Sequence, residues 1–438
     1  MMLSSWEKIE AIIGFEIEQR RQEGCVIVPS LVMAIDAAKS TGDTNALWDL
    51  MQQLSELQPE PSFPYHEPND LDEIRASRPD GPRHSSIRSD VDLFDHIHGA
   101  WLGRAAGCAL GKPVEKWPKQ TIENYLHYYD ALPLDDYFPS GKGFPEGHPI
   151  EFVLESSDCT RGHISFMARD DDMDFTVLGL AALEQYGHDC SAEEIGHNLI
   201  SRLPYNLVYT AERMAYRNLV LGIVPPDSAL RDNPFREYIG AQIRADIWGY
   251  VTPGQPERAA ELAYRDACIS HVKNGLYSEM FFAALLAATF LTDKMHEAVS
   301  IGLSEIPENC RLAEALRNTL IWSQKYSDWQ QTWLKIDELY GHYSSVHSIN
   351  NAALVVMGLI YGSQNFEKTI VTTVLGGLDA DCNGATAGSV MGMKLGAKAL
   401  PDKWVSVFND CLNSAVLDHQ QCSFADLARR TSQLARKD

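Results

Sequence analysis

Apolar residues recur at three- and four-residue spacing over positions 6–21, 175–186, 256–271, 279–291, 350–361 and 423–436, which predicts a helix over each stretch. Start signals agree with that reading. Ser191-Ala-Glu-Glu194 has the form of a capping box, and Pro256 stands where a first-turn proline belongs. Alternating patterns are few and short, the run 150–154 being the clearest. An all-α fold is expected. The first 57 residues predict two or three amphipathic helices, and from Gln58 to Asp92 the chain turns polar and proline-rich, as a linker or surface strap would. From Leu93 onward no second break of that kind occurs, and the Gly/Pro-rich stretch 132–149 reads as a loop within the same unit.

Glycines interrupt this pattern with a period of their own. They recur every fourth residue at Gly99, Gly103, Gly107 and Gly111, and again at Gly384, Gly388, Gly392 and Gly396. An interior glycine costs a helix about 1 kcal/mol relative to alanine, so two such rows need a reason. A row at i, i+4 flattens one ridge of a helix and lets a neighbouring backbone approach closely.

Composition narrows the class. The 438 residues carry 37 Lys+Arg against 60 Asp+Glu, a formal charge of −23, and 45% are hydrophobic. That is a folded protein without the basic footprint that a phosphate backbone demands, so no nucleic acid is expected as partner. The longest apolar runs are too short for a membrane span, and Glu7, Lys8 and Glu10 interrupt any secretory leader. Nine dispersed cysteines, no two closer than Cys411 and Cys422, form no CxxC unit and read as reduced thiols in a cytoplasm.

Part of the acid excess is clustered. Asp170-Asp171-Asp172 stands immediately before an apolar helix, where it reads either as an acid-rich N-cap or as carboxylates converging on a hard divalent ion. Asp379-Ala-Asp381 follows Gly376-Gly377 and precedes the second glycine row. Residues two apart in an extended segment face the same way, so both aspartates can serve one site. With apolar sequence on both sides and no Lys or Arg in it, this pair calls for a cation. Glu115 lies just past the first glycine row, in Gly111-Lys-Pro-Val-Glu115. All-oxygen ligands favour Mg²⁺, Mn²⁺ or Ca²⁺ over zinc, and carboxylates from two segments suggest two ions. No HExxH, GxSxG, Walker or EF-hand pattern is present.

A Gly-rich first helix ending in a glutamate, a D-D-x-D before a helix and a late G-x-D-x-D-x-N-x-x-x-A-G together resemble the ADP-ribosylglycohydrolase family, over about His96 to Trp404. The resemblance implies a compact all-α catalytic domain at 93–438, behind an N-terminal helical extension and Pro-rich linker at 1–92. It implies two divalent cations, Mg²⁺ or Mn²⁺, held by Asp170, Asp171, Asp172, Asp379 and Asp381, with Asp171 and Glu115 in catalytic roles. Here Asp170 stands where the family has threonine, and Cys382 where it has a hydroxyl residue. The stretch Tyr238-Ile-Gly240-Ala241-Gln242-Ile-Arg244 resembles the family's diphosphate-contacting segment, and Ser270-His271 its T-H pair near the substrate. The expected activity is hydrolysis of the ribosyl C1″ bond of an ADP-ribosylated protein or small molecule. Alternatives are hydrolysis of a nucleoside-like ribosyl metabolite on the same centre, or a non-catalytic ADP-ribose-binding role. His347 and Asn350-Asn351, ahead of an apolar helix, read as a cap rather than as pocket lining.

Overall fold

The two glycine rows pack on each other. In the computed structural model, which describes residues 4–83, 92–141 and 157–436, the helices Leu93–Gly111 and Ala380–Leu395 run antiparallel. A Cβ added to Gly103, Gly107 or Gly111 would lie 2.2, 1.8 or 2.1 Å from the carbonyl oxygen of Gly388, Gly384 or Ala380. Backbone meets backbone, so each turn of one helix has one permitted partner on the other. The row's last member, Gly396, lies with its carbonyl carbon 2.7 Å from where a Cβ on Gly99 would be, but its own Cβ position faces elsewhere. It ends the second helix at φ +82°, and a side chain there would strike the Asp95 carboxylate.

This register brings the C-terminal end of the first glycine helix beside the N-terminal end of the second. Residues 111–115 and 379–381 therefore share one end of the pair. The helices Asp171–Tyr186, Lys273–Ala288 and Ser348–Gly362 surround it and contribute Val177, Phe281, Phe282, Leu285 and Val355 to the main core. Every helix expected from periodicity forms, with ends displaced by a few residues: Ile9–Gln22, Pro256–Ala267 and Phe424–Ala435 are examples. The capping box at Ser191 and Glu194 closes as expected, and Pro256 opens its helix. Among the described residues the strands are two antiparallel pairs of residues only, Leu412–Asn413 with Gln421–Cys422. The alternating run 150–154 lies outside the described residues.

Near the N-terminus three helices form, Ile9–Gln22, Pro29–Thr41 and Thr44–Ser55. Their apolar faces make a small second core from Ile12, Ile13, Leu47 and Leu54, closed by Met214 and Phe235 of the main body. Buried charge reinforces that contact. Arg236 bridges Glu16 at 2.7 Å and Glu23 at 3.0 Å, all three side chains almost fully enclosed. The Pro-rich stretch behaves as a strap: the His66 N–H donates to the Asn309 carbonyl at 2.8 Å, and Glu67 pairs with Arg311 at 2.7 Å. No helix is long and apolar enough to cross a membrane among the described residues.

Candidate metal centre and active site

The second acidic segment is built by a clip between two loops. Lys116, at φ +63°, donates its N–H to the carbonyl of Leu378, itself at φ +60°, over 2.8 Å. Gly377 sits at φ +76° with the Trp117 carbonyl 2.7 Å from where a Cβ would be, so only glycine fits that turn. Asp379 then occupies the N-cap of the second glycine helix, yet its carboxylate caps no backbone N–H. Asn351 does the positioning instead. Its Oδ1 accepts from the Asp379 N–H at 3.1 Å and from Asn383 Nδ2 at 2.7 Å. Asp379 and Asp381 are both buried, and Asp381 Oδ1 has no hydrogen-bond partner. Burial, then the neighbouring Glu115 carboxylate, pushes Asp379 up to about 7 and Asp381 well above the usual carboxylate range.

The first acidic segment is arranged differently. Asp170 caps the helix Asp171–Tyr186 by accepting the Asp172 N–H at 2.9 Å, and its second oxygen meets the Lys112 ammonium. Burial alone would raise Asp170, but Lys112 overrides it and holds the carboxyl below its ordinary value. Asp172 is buried against Arg104 of the first glycine helix, whose Nε donates to the Asp172 carbonyl at 2.8 Å and whose Nη1 pairs with Asp246 at 2.7 Å. Burial and the adjacent Asp170 still push Asp172 well up. Asp171 is half-buried, and burial with Asp170 beside it raises it to about 8.

Both segments open on one cavity of about 380 Å³. Glu115, Asp171, Asp379 and Asp381 line it, with Gly240 on the facing wall. Carboxylate oxygens of Glu115, Asp379 and Asp381 lie within 4.8 Å of one another, as do one ligand atom each from Asp172, Asp381 and Cys382, and from Cys108, Asp170 and Asp172. Fold thus joins residues more than two hundred positions apart. Converging oxygens, an unpartnered buried Asp381 Oδ1 and a helix-cap aspartate that caps nothing fit a hard divalent cation. Cys382 adds little to such a set, because a thiol is a soft ligand poorly matched to a hard divalent ion, and burial pushes it well up.

One expectation needs correcting: the acidic pair is not without basic neighbours. Lys112, Lys116 and Arg169 also line the cavity, Lys116 pairing with Glu115 at 2.5 Å and Arg169 with Asp174 at 2.6 Å. The lysines belong to the loop that the glycine seam delivers, so the sequence around Asp379 contained no sign of them.

Of the segment expected near a diphosphate, Gly240 and Ile243 line the cavity. Ala241 and Gln242 are buried, Gln242 Nε2 facing Thr386 Oγ1 at 3.5 Å. Arg244 is buried behind the wall, donating to Ser270 Oγ at 2.8 Å and turned toward Glu212, Asp266 and Glu279. His271 is fully buried, its Nδ1 2.9 Å from Ser270 Oγ. His347 caps its helix, accepting the Ile349 N–H at 3.2 Å as expected. Tyr238, the first residue of the segment that ends at Arg244, also lines the wall, and Glu212 joins it without having been singled out, since an isolated glutamate on an amphipathic helix carries no signal of its own.

The ADP-ribosylglycohydrolase family model matches residues 89–437. An uncharacterized protein of Archaeoglobus fulgidus is 25% identical over 321 residues, covering 70% of this chain and 90% of that protein. A solved structure described as an ADP-ribosylglycohydrolase-related protein complex superposes with a TM-score of 0.52 at 20% identity, covering 78% of this chain and 99% of that one. At that identity the likeness speaks for the fold alone.

Proposed function

Because the chain belongs to the ADP-ribosylglycohydrolase family, a family of glycosidases, we propose that it hydrolyses the ribosyl C1″ bond of an ADP-ribosylated protein or small molecule with the help of two divalent cations. The observation that carries this reading is the convergence of Glu115, Asp379 and Asp381 on the cavity that Asp171 also lines. Asp171, Asp172, Asp379 and Asp381 would hold the ions, Mg²⁺ before Mn²⁺, with Glu115 at their edge. Asp170 serves them from behind, as helix cap and partner of Lys112. Divalent cations bound there would supply electrophilic pull on ribose hydroxyls and would lower the pKa of water.

The protein's own groups do the rest. Glu115, half-exposed beside Lys116, accepts a proton from the attacking water. Carboxylates beneath the ribose favour the positive charge of an oxocarbenium-like transition state. Gly240 leaves its backbone open to the cavity. ADP-ribose release from arginine- and serine-linked substrates, with and without Mg²⁺ or Mn²⁺, tests the assignment. No release from either substrate while cations are bound would sink it.

A second reading keeps the cation chemistry and changes the substrate to a nucleoside-like ribosyl compound. Arg244 favours it, since its guanidinium is committed to buried acids and is not among the cavity-lining groups. Thermal shifts with ADP-ribose, ribose and nucleosides separate the two, because a ligand at a hundred times its dissociation constant adds about 2.7 kcal/mol.

A further inference from the structure

Three carboxyl groups surround a single guanidinium behind Gly240. Arg244 Nη1 lies 3.3 Å from Glu212 Oε1, Nε 3.3 Å from Asp266 Oδ1, and Nη2 3.5 Å from Glu279 Oε2, with all four side chains nearly enclosed. The other basic group in reach, His271, has its Nδ1 4.0 Å from Glu212 and is kept neutral by burial and by Arg244. Three ionised carboxylates against one positive charge would leave two buried charges unpaired, which a protein interior strongly disfavours. The cluster therefore retains protons.

Its members differ in what else they touch. Asp266 accepts from Trp248 Nε1 at 3.0 Å, and Glu279 is fully enclosed. Glu212, on the helix Thr210–Val220, is the one that reaches the cavity, facing Glu115, Asp171, Asp379, Asp381 and the cations Lys112, Lys116 and Arg169. Its carboxyl lies over Gly240, where any Cβ would come within 2.5 Å of it. Glycine at that position is what gives the acid access to the cavity. Burial pushes Glu212 up to about 7, so about half of the molecules carry its proton at neutral pH and more do below it. It is the carboxyl on this cavity that belongs to none of the candidate ion-binding groups and neither acidic segment.

Resting on the hydrolase reading above, we propose that Glu212 is the catalytic acid, donating its proton to the nitrogen or oxygen that leaves ribosyl C1″. The C1″ bond breaks with its electron pair passing to the leaving atom, which takes the Glu212 proton. Water adds its oxygen to C1″ and gives its proton to Glu115, and exchange with solvent then returns Glu212 and Glu115 to their starting states. Net consumption is one water per bond.

The test compares wild type and Glu212→Gln, both loaded with Mg²⁺, on a serine-linked ADP-ribosyl substrate and on a ribosyl substrate with a 4-nitrophenolate leaving group, which needs no proton. Wild type should cleave both, its serine-linked rate falling as pH rises through about 7. E212Q should lose about 10²- to 10⁴-fold on the serine-linked substrate together with that pH limb. It should stay within about tenfold on the nitrophenyl substrate and bind as many cations as wild type. Equal loss on both substrates, or an undiminished serine-linked rate, would overturn the assignment. If E212Q does not fold, Glu212→Asp, which keeps the acid but shortens its reach, must show the same split, and equal loss again overturns it. Wild type inert on both substrates with cations bound would overturn the hydrolase reading and this assignment with it.

Discussion

Asp170–Asp172 and Asp379–Asp381 both bring carboxylates to the N-terminal end of a buried helix, but the fold compensates them differently. The first segment is largely satisfied by the protein itself. Asp170 caps its helix and meets Lys112, and Asp172 leans on Arg104. The second is held by its backbone, through Asn351, while Asp381 keeps a buried oxygen without a partner. Carboxylates in a core thus call for an ion most strongly where tertiary structure has not already provided a fixed cation or an N–H.

If that contrast is right, Asp381→Asn has the largest effect. It should remove one cation per chain, read by metal analysis after gel filtration, and lower hydrolysis by about 10³-fold, the scale of removing a preorganised charged group. Unchanged cation content would undo the comparison. Next comes the seam that brings the segments together. Gly107→Ala puts a methyl 1.8 Å from the Gly384 carbonyl oxygen and should cost about 3 kcal/mol in urea unfolding, although alanine is the better helix former. An unaltered midpoint would mean the helices separate freely.

Asn351→Ala touches the second segment alone and should weaken cation affinity by about 10- to 100-fold, as loss of an orienting partner does. Titration calorimetry measures it, and an affinity equal to wild type would show that Asn351 orients nothing. A smaller, pH-dependent effect follows from Asp171 and Asp379, raised by burial to about 8 and about 7. The cation-free folded state then binds more protons than the unfolded chain between the ordinary aspartate value and these raised ones. Stability is therefore fully present at acid pH and is lost as pH rises through about 7 to 8. Cation-free melting temperature should fall from pH 5 to pH 8.5, and Mg²⁺ or Mn²⁺ should restore it at the upper end. A flat profile would place these carboxylates in water. Asp170→Asn should matter least for the ions: asparagine caps a helix as well as aspartate does, so only the pairing with Lys112 is lost and the cation count stays unchanged. A lost ion would move Asp170 from cap to ligand.

The sequence alone determined the helices, because apolar periodicity is a local property, and it determined the acidic segments as segments. It also determined that two glycine rows exist and that each needs a close neighbour. It did not say that the rows were each other's neighbours, nor that Gly396 belongs to a helix end and an Asp95 contact. Only the tertiary structure decided which charges meet. Lys112 and Lys116 enter the cavity because the antiparallel seam sets 111–116 beside 379–381, and Arg244 is kept out of it by pairing with Glu212 in the wall and with Asp266 and Glu279 behind it. Charge pairing depends on distances across the fold, and spacing along the chain does not encode them.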